Sequence, residues 1–160
     1  WHTWDIVCYP AGFYDERVKK SGEQAVFVGA RTTVQFVVDT PQDYYAIPTT
    51  LHCYPFPFRK KNAQQFLWRR LLEPVQRGFM PLRKQGIPLA SLRSFEAVAK
   101  ALLDYARGKG TIFHLWGHAW EIEKYGMWKE FENVISLLAK EKDALLLTNG
   151  DAYRILKEKN

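Results

Sequence analysis

Apolar positions along the chain follow two rhythms. Short runs of β-branched, aromatic and aliphatic residues fall at 5–9 (DIVCY), 25–30 (AVFVGA), 34–38, 44–53 (YYAIPTTLHC), 111–117 and 144–148 (ALLLT). Gly, Pro, Asn or Asp residues bound most of these runs, and such runs predict strands. The last one reads as a strand buried on both faces. Apolar residues three and four apart predict helices elsewhere. Residues 91–107 carry Phe95, Val98, Ala99, Leu102 and Leu103, with Ser94 as N-cap and Gly108 and Gly110 at the end. Residues 126–142 carry Trp128, Phe131, Val134, Ile135 and Leu138. Weaker helical patterns cover 14–21, with Gly22 as the stop, then 62–72 and 151–159. Prolines and glycines mark 54–58 (YPFPF) and 79–91 as loops.

The second half of the chain therefore alternates helix, strand, helix, strand, helix. That order predicts an α/β fold of mainly parallel strands with helices outside, as an open sheet or a barrel. A length of 160 residues accommodates one domain, spanning 1–160. Hydrophobic residues make up 47%, which excludes a disordered chain. Aromatics reach 15%, more than a generic core requires, so part of them is expected on a binding surface.

The net charge of +6 gathers at 59–61 (RKK), 69–70 (RR) and 157–159 (KEK). These clusters read as solvated helix faces and a polar tail. No nucleic-acid motif accompanies them, so nucleic acid is not an expected partner. Cys8 and Cys53 read as buried, reduced thiols, and their spacing with the histidines is not that of a structural zinc site. No apolar stretch approaches the ~20 residues that span a bilayer.

The chemistry concentrates in 111–123 (TIFHLWGHAWEIE). An apolar run delivers His114 and His118 toward its carboxyl end, where parallel α/β folds place their reacting groups. Imidazole is the side chain most easily tuned for acid–base work near neutral pH. On a strand, positions four apart lie roughly 13 Å apart, too far to share a metal ion. His118, just past Gly117, is the expected acid–base residue, with Glu121 orienting it through a carboxylate–imidazole bond. His114 is expected to face the core or the site. Trp116 and Trp120 are candidate walls for a sugar. At 8–12 (CYPAG), Pro10 fixes one backbone angle and Gly12 is free to take a positive one, a turn suited to presenting backbone amides to a ligand.

Residues 8–33 (CYPAGFYDERVKKSGEQAVFVGARTT) and 113–154 (FHLWGHAWEIEKYGMWKEFENVISLLAKEKDALLLTNGDAYR) together resemble polysaccharide deacetylases, the NodB-homology carbohydrate esterases. The two stretches cover about half the chain and correspond to the later part of that family's pattern. The resemblance implies an incomplete or distorted (β/α) barrel. It also implies removal of N- or O-acetyl groups from carbohydrate, with zinc or another divalent metal as cofactor. In that family one Asp of an Asp–Asp pair is the base, the other Asp and two histidines hold the metal, and a later histidine is the general acid. The late histidine carries over to His118, with His114 as the second choice.

The remaining parts of the pattern depart from the family. The chain has no Asp-Asp pair, and the position four after His2 is Ile6. Cys8 stands where the family's proline–glycine loop usually has Arg. The expected chain therefore holds no metal of its own and hydrolyses acetylated sugar poorly. Either the chain is a fragment of a longer enzyme, or an N-terminal partner segment or a homo-oligomer completes the sheet, or the sheet is remodelled and open. The alternative is a non-catalytic binding or self-assembling protein on the same scaffold.

Overall fold

A computed structural model describes residues 5–38, 40–58 and 72–158. The strands are short and all pair in parallel. β1 (Ile6–Cys8) pairs with β2 (Gly29–Arg31), in register Ile6–Gly29, Val7–Ala30 and Cys8–Arg31. β3 (Leu51–His52) pairs with β4 (Leu115–Trp116), in register Leu51–Leu115 and His52–Trp116. A bridge between Arg31 and Ile47, with backbone bonds from Thr49 to Val34 and from Phe36 to Thr50, joins the two pairs. The resulting row runs β1, β2, β3, β4.

Six helices surround it among the described residues: α1 (Glu16–Gln24), α2 (Glu73–Lys84), α3 (Phe95–Lys109), α4 (Ala119–Tyr125), α5 (Trp128–Leu138) and α6 (Asn149–Glu158). The fold is thus mixed α/β with parallel strands. The described residues form no closed barrel.

α3 forms for the reasons the sequence presents. Ser94 Oγ accepts the Ala97 amide at 3.1 Å, and Gly110 ends the helix in the left-handed conformation at φ 60°. Its apolar face, Phe95, Val98, Ala99 and Leu102, is fully buried. It packs with Leu51 and Cys53 of the β3 segment, Leu82 of α2, Ile122 of α4 and Val134 of α5. A second apolar cluster joins Ile47, Ala152, Tyr153 and Leu156, so α6 covers a separate part of the strand row.

Several elements differ from expectation. Residues 79–84 are helical, because Pro74 sits at the tolerant first turn of α2 and burial of Gly78 and Leu82 carries the helix through Pro81. Gly22 lies inside α1, which ends at Gln24 with Ala25 as its C-cap. Gly126 ends α4, a helix the sequence pattern does not predict, at φ 62°, and the helix expected over 126–142 runs as α5 from Trp128 to Leu138. The run 144–148 forms no strand. Among the described residues no strand hydrogen-bonds to it, Leu145 and Leu146 are 74% and 96% exposed, and Thr148 Oγ1 accepts the Asp151 amide in the first turn of α6. Apolar composition qualifies a segment for a sheet, but a partner edge is needed to make it a strand. Both cysteines are free: Cys53 is buried as expected, whereas Cys8 is exposed. The helix expected at 62–72 lies outside the described residues, Leu72 excepted, as do the clusters at 59–61 and 69–70.

Substitutions separate the true core from the apolar ribbon. Leu102→Ala is expected to cost ~2–5 kcal/mol, the range for a buried leucine that leaves a cavity. Leu146→Ser is expected to stay within about 0.5 kcal/mol of wild type. Urea unfolding of both variants checks the pair, and a large loss for Leu146→Ser would place that run in the core.

Candidate functional site

The carboxyl ends of β3 and β4 bring the rings of His52, Trp116 and Tyr54 together. His52 ends β3, Trp116 ends β4, and the register sets them side by side with ring centroids 4.2 Å apart. Tyr54, just past β3, stacks on His52, its ring centroid 5.3 Å away. Gly117 follows Trp116 where a side chain would press on Cys53, since an added Cβ would lie 2.9 Å from Cys53 Cβ. The chain then turns outward, and His118 becomes the N-cap residue of α4.

His118 is exposed and ringed by aromatics. Its centroid lies 4.8 Å from Trp116 in an edge-on arrangement and 5.8 Å from Trp120 in a stacked one. Trp120 is 59% exposed, with the Lys124 ammonium 5.7 Å from its ring centre. His118, Trp116 and Trp120 therefore lie together, as expected.

Glu121 takes a different partner from the one expected. Its buried carboxylate meets His52 Nε2 at 3.1 Å, not His118. The reason is helical geometry: Glu121 lies in the first turn of α4 and points back under the strand ends, while His118 caps that helix from outside. His52 is the member of this group that the sequence pattern does not single out. Its signal was the one that singled out His118, an imidazole at the end of an apolar β run.

His52 Nδ1 faces the Gln35 amide nitrogen at 3.4 Å. The arrangement is satisfied when Nε2–H donates to Glu121 and Nδ1 accepts from Gln35. Burial is the main cause holding His52 below the usual imidazole value, with the Glu121 carboxylate pulling the other way. Gln35, His52 and Glu121 open onto a cavity of about 210 Å³, whose other walls include Phe36, Tyr54, Phe56 and Arg77.

His114 is separated from this group. Arg31 Nη1 donates to His114 Nδ1 at 2.6 Å. Burial first and the Arg31 charge second push the imidazole down to about 3. It is a neutral hydrogen-bond acceptor at neutral pH. Pro10 belongs to a single 3-10 turn, Pro10–Gly12, after β1. The amides of Gly12 and Phe13 bond to Tyr9 O and Pro10 O, so they close the turn rather than face a ligand. No hydrogen bond or ring contact joins this turn to His118 among the described residues.

The metal that the family resemblance implies does not fit the described side chains. No group of three or more His, Cys, Asp and Glu lies close enough to hold an ion among them. His52 Nε2 is engaged by Glu121, and His114 Nδ1 faces a guanidinium that repels cations. No helix among the described residues is long and apolar enough to cross a membrane.

The two half-buried imidazoles make stability depend on pH. The unfolded chain binds their protons near pH 6.5, whereas the folded chain binds them only at lower pH. The unfolded state is therefore favoured progressively as pH falls from about 6.5 toward 3. The urea midpoint is expected to be higher at pH 7 than at pH 4. His114→Gln, which keeps an acceptor for Arg31, is expected to flatten that slope. An unchanged slope would remove His114 as a cause.

Comparison with protein-family models, with curated proteins and with solved structures returned no match to this chain.

Proposed function

We propose that the chain is a carbohydrate-acting domain of the polysaccharide-deacetylase type, whose aromatic mouth at 116–120 takes an acetylated sugar. In this reading the row β1 to β4 is an arc of a (β/α) barrel, and His118 is the acid that protonates a leaving group. The observation that carries it is the placement of an exposed imidazole between two tryptophans at the carboxyl end of β4. Planar indoles stack on the apolar faces of sugar rings, and a solvent-reached imidazole is free to exchange protons. His52, held by Glu121, supplies a second imidazole, its ring centroid 6.3 Å from that of His118.

The chain has no Asp-Asp pair, and Ile6 stands four after His2, so His118 acts as the acid only where the metal-binding part of the family pattern is supplied. Acetate release is expected to stay near background with or without added zinc.

A second reading rests on a separate observation. Leu145, Leu146 and Leu147 form an exposed apolar run beside α6. That run favours self-association, since large exposed apolar patches mark interaction surfaces. Light scattering checks it: a concentration-dependent rise in mass that Leu146→Ser abolishes supports a self-assembling role.

Tryptophan fluorescence tests the main reading. Titration with oligomers of N-acetylglucosamine or acetylated xylose is expected to shift the emission. Trp120→Ala is expected to weaken binding about 3- to 10-fold, the value of one stacked aromatic contact. His118→Ala is expected to change binding less than that. Absence of any sugar-dependent change with both ligand series would overturn the carbohydrate reading.

A further inference from the structure

Arg31, the last residue of β2, is 3% exposed, and its charge has no carboxylate partner among the described residues. Its three hydrogen bonds go to neutral acceptors. Nε donates to Asn149 Oδ1 at 3.0 Å, and Nη1 donates to Pro48 O at 3.0 Å and to His114 Nδ1 at 2.6 Å. The guanidinium also lies over the Tyr153 ring, 5.4 Å from its centre. A guanidinium carries five N–H donors and cannot shed its proton in a protein. A buried charge is costly unless an opposite charge accompanies it.

Beside Arg31 is a cavity of about 20 Å³, with Pro48, Thr50, Ile112 and His114 among its walls. Its polar side chains are all able to donate. Because Nδ1 of His114 accepts from Arg31, the ring proton must sit on Nε2. Thr50 Oγ1 accepts the His114 amide at 3.1 Å, which leaves the hydroxyl hydrogen for another acceptor. No Asp or Glu lines the cavity among the described residues.

We propose that this cavity is a binding site for one small monovalent anion of the size of chloride, held by Arg31 with His114 and Thr50. The size follows from the space. A void of this volume takes one water-sized particle. Chloride and bromide approach that size, whereas sulfate and larger carboxylates do not. The charge follows from the lining, which offers a fixed positive group and donors. Burial pushes the guanidinium below its usual value, as expected of a cation short of a counter-charge. The site is separate from the sugar mouth. It ties β2, the 47–50 segment, the approach to β4 and the start of α6 to one ligand. The anion is accordingly a structural ligand of the strand row, and the proposal stands whether or not the domain acts on carbohydrate.

The test is thermal unfolding of the whole chain in sodium chloride, sodium bromide, sodium gluconate and sodium sulfate at matched ionic strength. Matching removes the general screening that a chain of net charge +6 shows toward any salt. Chloride and bromide are expected to raise the unfolding temperature saturably, by about 3 °C or more above gluconate, whereas sulfate, excluded from the protein surface, is expected to stabilise without saturating. Thr50→Val is expected to raise the chloride concentration giving half the effect several-fold. Arg31→Met is expected to abolish the response. Equal responses to all four salts, or a halide response that survives Arg31→Met, would overturn the proposal.

Should Arg31→Met not fold, crystals of the wild-type chain soaked in bromide decide the matter by anomalous scattering. A bromide within hydrogen-bond reach of Arg31 supports the site, and bromides only elsewhere overturn it. Asp39, which follows Val38 of the cavity wall in sequence, supplies a further arm. A halide response that emerges only in Asp39→Asn would mean that an internal carboxylate is the counter-ion, and would likewise overturn the proposal.

Discussion

The parallel pairing of Leu51 with Leu115 and of His52 with Trp116 is the contact on which the rest depends. It is two residues long in each strand, yet it fixes what stands at the strand ends. Leu51 is inserted into the main apolar cluster, so its register is set by burial against α3 rather than by the few ladder bonds. Once Leu51 is seated, the next residue, His52, must point to the opposite side, toward Glu121 and Gln35. The hydrophobic core thus positions a polar group without touching it.

Two histidines near the same strand ends receive opposite treatment. His52 is compensated by a carboxylate and stands over a roomy cavity. His114 is pressed against a guanidinium in a nearly filled one. Both are kept neutral by burial, but their neighbours make one a donor toward a carboxylate and the other an acceptor from a guanidinium. His118 lies outside the core, with its ring among tryptophans. Imidazoles within a short span of space therefore perform three distinct electrostatic tasks.

Much of this was legible in the chain itself. The 3.6-residue rhythm of Phe95, Val98, Ala99 and Leu102, with Ser94 before it, specified α3 because its causes are local. The approach of His118 to Trp116 and Trp120 was legible because the three residues are close in sequence. The Glu121–His52 bond was not, since 69 residues separate its partners and only the β3–β4 register joins them. The run ALLLT misled for a similar reason. Its composition satisfies a buried strand, but its environment depends on whether another edge lies beside it, and among the described residues none bonds to it. Proline misled in α2, where tertiary burial of Gly78 and Leu82 outweighed the missing amide of Pro81.

The contrast between the two thiols has a practical consequence. Cys53 is sealed in the core, and burial pushes its thiol up to about 11, so it resists electrophiles at neutral pH. Cys8 stands exposed at the tip of β1. A maleimide dye would therefore attach at one position without mutagenesis, at the far end of the strand row from β4. The native chain carries its own handle for fluorescence energy transfer, with its tryptophans as intrinsic donors.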